Sequence, residues 1–161
     1  MKKFLLVLVV LGTATALVLP AYGRGRDGLR SNLMGSQPGQ LIRTVSSGGV
    51  PWTMEDGSEA RLTEDGRLRA DIRGLLITGT GTGSDGTTGS VKQVVAALTC
   101  ANPVGGDAGA PVTFSSSPAP LSSKGDARID QKIAVTAPCL APIVLIRANA
   151  AAGPWIAASG F

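Results

Sequence analysis

The sequence predicts an all-β domain, an antiparallel sandwich of about seven or eight short strands with one disulfide. Three observations lead there. Short apolar runs are separated by Gly and Pro, of which the chain holds 22 and 10. Punctuation that dense ends a helix before it gains two turns, and suits many short strands. Several runs alternate apolar and polar residues with a period of two, the spacing of a strand buried on one face. Two cysteines, Cys100 and Cys139, stand where one predicted strand ends and before another begins.

The chain opens on Met1-Lys2-Lys3, followed by the apolar run Phe4 to Leu11 and a small-residue stretch ending Ala21-Tyr22-Gly23. A basic start, an apolar core and a small-residue cleavage pattern are the order of a secretory signal peptide, here residues 1–23. The apolar core falls short of the roughly 20 residues a membrane-spanning helix needs, so no span is expected after cleavage. No cysteine lies near the cleavage region to accept a lipid. The expected location is therefore secreted or periplasmic. Loss of Lys2 and Lys3 leaves 13 basic and 11 acidic side chains, a net charge of +2. That balance gives no electrostatic footprint for nucleic acid. Export also places the two cysteines in an oxidising compartment, where a Cys100–Cys139 disulfide closing a loop of about 40 residues is the simplest outcome.

Along the exported chain, residues 24–40 are rich in Arg, Gly, Ser and Asn and read as a flexible N-terminal segment. Residues 41–161 read as one domain. Its predicted strands begin with Leu41–Val45 and Val50–Met54. A hairpin follows over 58–75: Ala60 and Leu62 alternate with Glu59, Arg61 and Thr63, then Leu68, Ala70 and Ile72 with Arg67, Arg69, Asp71 and Arg73. Glu64-Asp65-Gly66 puts Gly where a short hairpin loop needs positive φ. Val91–Cys100 is the next strand, although Val91, Val94, Val95 and Leu98 also fit helical spacing; its valines favour a strand. Pro111–Ser116 follows. After a turn at Lys124-Gly125, Ala127, Ile129, Ile133 and Val135 alternate with Arg128, Asp130, Lys132 and Ala134, with Gln131 out of pattern on the apolar side. Ile143–Arg147 and Trp155–Ser159 complete the set.

Few residues promise catalysis. The chain has no histidine, which removes the commonest general base and the usual nucleophile triads. No catalytic residue, metal-ligand set or cofactor motif is read. Gly81, Gly83 and Gly86 spell a formal GxGxxG, but the Gly/Thr/Ser bias runs on to Ser90 without a βαβ pattern, so the stretch reads as a mobile loop. The carboxylate pairs Glu55-Asp56 and Glu64-Asp65 sit beside Gly and read as turn residues. Asp85 and Asp107, one to a loop, are too few to hold Ca²⁺. Trp52 and Trp155 each follow a Pro and read as core. The strongest ligand-binding candidates are Arg61, Arg67, Arg69 and Arg73, whose guanidinium groups gather on the polar face of the hairpin and could meet a carboxylate, phosphate or anionic glycan. Glu59 and Asp71, interleaved to balance them, make an ordinary solvated face the plainer reading of the same residues.

The segment Gly57-Ser58-Glu59-Ala60-Arg61-Leu62-Thr63-Glu64-Asp65-Gly66-Arg67-Leu68-Arg69-Ala70-Asp71-Ile72-Arg73-Gly74-Leu75 resembles the opening hairpin of chordin-type (CHRD) domains, secreted β-sandwiches related in shape to copper/zinc superoxide dismutases. The resemblance covers about 20 of 161 residues. It implies a superoxide-dismutase-like or immunoglobulin-like sandwich. The histidine stretch that follows the hairpin in that family is missing, so no metal or dismutase role comes with it. The expected function is that of a non-enzymatic envelope or extracellular module, binding or structural, with an envelope glycan or protein as partner. The alternative is a small secreted hydrolase with a carboxylate-based site.

Overall fold

The computed structural model describes residues 27–101, 111–135 and 139–160. The predicted signal peptide, and Asp107 with the loop around it, lie outside them. Every regular element in the described residues is a strand. There are thirteen, in chain order β1 (Asp27–Gly35), β2 (Leu41–Ile42), β3 (Val45–Ser46), β4 (Trp52–Thr53), β5 (Glu59–Thr63), β6 (Arg67–Ile72), β7 (Leu76–Ile77), β8 (Gln93–Ala101), β9 (Val112–Ser115), β10 (Ala119–Pro120), β11 (Ala127–Lys132), β12 (Leu140–Ala148) and β13 (Trp155–Ser159). Five of these are only two residues long, which is why their alternation cannot be seen in the sequence.

Nine of the strands make one antiparallel sheet. Its order is β10-β8-β12-β13-β1-β5-β6-β11, with β9 also paired to β8. The sheet curls until its ends, β10 and β11, lie against each other. β1 carries the curl: Asp27 to Asn32 pair with β5, then Leu33 to Gly35 pair with β13. Inside lies the main core. Leu68, Ala70, Ile72 and Ile129 from one half meet Val94, Ala96, Leu98, Val144, Ile146 and Ile156 from the other.

β1 corrects the reading of residues 24–40 as a flexible segment. Residues 27–35 form an internal strand. Leu29 and Leu33 pack toward the core while Arg30, Asn32 and Met34 stay exposed. The period of two was present, but only two apolar residues marked it, with small or polar residues at the alternate inward positions Ser31 and Gly35. What holds the strand is pairing on both edges, and those partners come from β5 and from β13 at the far end of the chain.

The hairpin is built as its residues predict. Leu62 pairs with Leu68, Arg61 with Arg69 and Glu59 with Asp71. The three residues Glu64, Asp65 and Gly66 close it, Gly66 at φ 83°, as a short loop ending in a left-handed residue requires. The 91–100 ambiguity resolves to a strand. β8 is buried on both faces, so its apolar residues run on without alternating and mimic helical spacing. Its second face is covered by a smaller cluster of Ile42, Ala97, Leu145, Trp155 and Ala158. Residues 41–45, expected as one strand, instead turn at Arg43 and Thr44, both at positive φ. The resulting β2–β3 hairpin lies over this outer face. Trp155 Nε1 donates to the Val45 carbonyl at 2.9 Å and Arg43 Nη1 to the Thr99 carbonyl at 2.7 Å. The out-of-pattern Gln131 is also explained: its side-chain oxygen accepts from the Ser117 N–H at 2.8 Å, so a polar group at that edge is satisfied.

Cys100 and Cys139 are bonded, with a Cα–Cα distance of 4.9 Å. The bridge joins the end of β8 to the start of β12, one residue before the pair Ala101–Leu140. It therefore links neighbouring strands of one half of the sheet.

Candidate functional site

The outer face of β1, β5, β6 and β11 collects six of the eleven Lys and Arg side chains in the described residues. Strand alternation sends Leu62, Leu68, Ala70, Ile72 and Ile129 into the core, and so turns their odd-numbered neighbours on β5 and β6 outward. Register then fixes who stands beside whom. Arg30 pairs with Arg61, Arg61 with Arg69, and Arg69 with Asp130. The next row is Asn32, Glu59, Asp71 and Arg128. On the other side Arg67 pairs with Lys132.

The face thus carries six cations, Arg30, Arg61, Arg67, Arg69, Arg128 and Lys132, against three carboxylates, Glu59, Asp71 and Asp130. Like charges directly opposite one another cost stability. Here the carboxylates offset that cost by sitting among the cations, directly opposite, diagonally or two residues along the strand. Asp130 takes Arg67 in a two-pronged contact, Nε at 2.6 Å and Nη2 at 3.0 Å, and Arg69 Nε at 3.1 Å. Glu59 holds Arg61 and also Arg30, the latter through Nε at 3.3 Å. Arg128 reaches Asp71 at 3.6 Å. The paired arginine side chains remain 34–70 % exposed.

Protonation follows the pairing. The hydrogen bond from Arg67, then that from Arg69, holds the Asp130 carboxyl below the ordinary carboxylate range. Arg61 does the same for Glu59, with a smaller contribution from Arg30. Arg67 in turn is raised by Asp130. Asp130, Glu59 and Arg67 stay charged at neutral pH, and the face keeps its excess of positive charge.

Of the four arginines named from sequence, Arg61, Arg67 and Arg69 share this face. Arg73 does not. It follows the end of β6 and lines a hollow of about 650 Å³ with Glu55, Ile72, Pro120, Asp126, Ala127 and Arg128, the last of which also belongs to this face. Sequence reasoning missed Arg30, Arg128 and Lys132 as members. Arg128 and Lys132 were visible in the alternation of β11, but its adjacency to β6 was not. Arg30 lay in the stretch read as a flexible segment.

The other candidates take structural roles. Trp52 and Trp155 are buried at 4 % and 1 % exposure. The glycine-rich stretch read as a mobile loop is a hydrogen-bonded turn assembly. Ile77 N–H donates to Thr87 O at 2.8 Å and Gly86 N–H to Ile77 O at 2.9 Å. The Asp85 carboxylate accepts from the N–H groups of Thr80 and Gly81, both at 3.0 Å. A carboxylate of the chain itself occupies amides that a phosphate cradle would need. The Thr80 hydroxyl, and then these amides, hold Asp85 below the usual carboxylate range.

The pairs Glu55-Asp56 and Glu64-Asp65 flank opposite ends of β5. A five-residue strand puts them about 17 Å apart at 3.4 Å per residue, beyond the reach of one acid/base couple. Among the described residues no group of three or more His, Cys, Asp or Glu could hold a metal ion. In comparison with known proteins, no family model matches the chain, and no curated protein or solved structure matches it either.

Proposed function

We propose that this chain is a secreted, non-enzymatic binding module of the cell envelope or extracellular space, whose ligand surface is the outer face of β1, β5, β6 and β11. One observation carries the reading: Arg30, Arg61 and Arg69 stand opposite one another on three neighbouring strands. A face selected only for solubility would interleave opposite charges across strands, because like charges in register oppose folding. Local rules broken at a rigid surface are the signature of a ligand site. Guanidinium groups fixed by flanking carboxylates are suited to an acidic ligand, since little side-chain freedom is lost on binding. We read the curled sheet as a superoxide-dismutase-like or chordin-type sandwich, its two halves packed on one core and sharing β1. Export to an oxidising compartment agrees with the Cys100–Cys139 bridge.

The test is retention of the exported chain on immobilised acidic and neutral polysaccharides. Retention on the acidic matrix, eluted by salt and lost in an Arg67→Ala/Arg69→Ala variant, is the expected result. Equal behaviour of wild type and variant on both matrices would overturn the reading. Turnover in a broad hydrolase screen, abolished by changing one carboxylate, would replace it with a small secreted hydrolase.

A further inference from the structure

We infer that the hollow between the β2–β3 hairpin and the turn joining β12 to β13 binds a small monocarboxylate, held by the Nη groups of Arg147. The site shares no residue with the face of β1, β5, β6 and β11 and is independent of it.

Arg147 is aimed and fixed by the backbone around it. Ile146 and Ala148 pack into the main core, so Arg147 between them faces the other way. The register with β13 shifts between Ile146 and Arg147, a device by which a strand re-aims a side chain. Arg147 Nε donates to the Gly153 carbonyl at 2.6 Å. A tight turn brings that carbonyl in: Ala148 N–H donates to Pro154 O at 3.0 Å and Gly153 N–H to Ala150 O at 2.9 Å. A Cβ on Gly153 would overlap the Ala148 carbonyl, so the turn needs glycine there. The side chain is thereby held before a ligand arrives, which lowers the cost of binding.

Arg147 lacks a counterion. It is part-buried, and among the described residues no carboxylate pairs with it. Its Nη groups have no acceptor there and are not sealed from solvent. Burial lowers its pKa from the ordinary guanidinium value, with no anion to raise it again. A charge drawn partly out of water without a partner is costly, and an anion in the hollow offsets that cost. Thr44, which lines the same hollow, stands at φ 70°, rare for a β-branched residue. Strain of this kind gathers at ligand sites.

The ligand's class follows from the donors and the walls. With Nε engaged, the Nη groups present the end of the fork, whose parallel N–H donors match a carboxylate. One guanidinium balances one negative charge. Arg43 of the same hairpin directs its Nη groups to the Thr99 and Ala141 carbonyls, so a dianionic phosphate would be undercompensated. The hollow holds about 310 Å³, at the small end for ligand sites. Val45, Ala152 and Pro154 give it an apolar wall, suited to a short hydrocarbon body.

The experiment is NMR titration of the exported chain with butyrate, butyramide, inorganic phosphate and acetyl-trialanine at fixed pH and ionic strength. It is read at the backbone amides of Thr44, Ser46 and Gly153. Saturable shifts with butyrate and none with butyramide are expected. Arg147→Met, which keeps the stem, is expected to abolish them. Arg147→Lys, which keeps the charge without the fork, is expected to weaken binding about tenfold. Arg67→Ala/Arg69→Ala is expected to leave it unchanged. No saturation by butyrate, or equal affinity in Arg147→Lys, would overturn the inference. Tighter binding of phosphate would overturn the carboxylate class, and tighter binding of acetyl-trialanine would give the site to a peptide end instead. Loss of binding in the Arg67→Ala/Arg69→Ala variant would move it to the other face and overturn the site, while leaving the charged face standing.

Discussion

Gly35 and Trp52 touch backbone to backbone: a Cβ built on Gly35 would overlap the Trp52 carbonyl. Residue 35 is the last of β1 to pair with β13, two residues beyond the switch from β5 at Leu33, and β4 crosses it there. Trp52 N–H donates to Ser36 O at 2.8 Å, and Ser36 N–H to Ile156 O at 3.0 Å. Three parts of the chain meet at one glycine. Gly35→Ala is expected to cost about 3 kcal/mol, since backbone cannot yield as a side chain would. Urea unfolding measures it; a midpoint within error of wild type would show that the crossing is looser than described.

The β2–β3 hairpin is fastened over the second cluster by Trp155. Trp155→Phe keeps most of the ring and removes only the donor to Val45 O, which is 2.9 Å away. Loss of that bond is expected to cost about 1–2 kcal/mol, because a part-buried carbonyl loses its partner. Amide exchange should quicken at Val45 and Ser47 before it does in β8. Uniform acceleration across the sheet would mean that the hairpin does not open separately.

The disulfide closes 39 residues of chain. On the chain-entropy account a loop of that size contributes about 4 kcal/mol. Cys100→Ala/Cys139→Ala should therefore lower the unfolding free energy by roughly that amount. The fold is expected to survive at low temperature, because the bridge joins strands already paired in β8 and β12. An unchanged denaturation midpoint would show that the bridge does no more than follow the strand pairing.

Asp130 supplies a pH dependence whose sign is fixed. Its carboxyl is held below the ordinary range in the folded chain by Arg67 and Arg69. The folded state therefore binds its proton less readily than the unfolded state does. The stabilisation is present above the ordinary aspartate pKa of about 3.9 and is lost as pH falls through the lower folded value. Asp130→Asn should lower the denaturation midpoint at pH 7, and the gap from wild type should close in acid below that range. A gap that stays constant with pH would remove Asp130 as its source. The same variant should leave Arg67 and Arg69 less fixed and weaken acidic-ligand binding, although it adds positive charge to the face.

Much of the fold was legible because it rests on local alternation. The 58–75 hairpin and β11 could each be read from their own residues, since half-buried strands print their burial as a period of two. β8 was legible only in outline: burial on both faces removes the alternation. β1 was misread because only Leu29 and Leu33 mark its inner face. The short strands β2, β3, β4, β7 and β10 carry too few residues to print any period at all. The candidate site was half legible for the same reason. Arg61, Arg67 and Arg69 shared one hairpin and announced themselves. Arg30, Arg128 and Lys132 joined them through pairing between distant segments, and Arg73 left the group because its strand ends at Ile72.

By itself the sequence determined the all-β class, the strands whose faces alternate and the two cysteines that could pair. These depend on periods, punctuation and composition within a few residues. Only the tertiary structure decided that residues 27–35 close the sheet between β13 and β5. It also made the disulfide a link between neighbours in one half, and brought Arg30, Arg61 and Arg69 into one row. Register between strands is set by which segments share a core, and no local pattern encodes it.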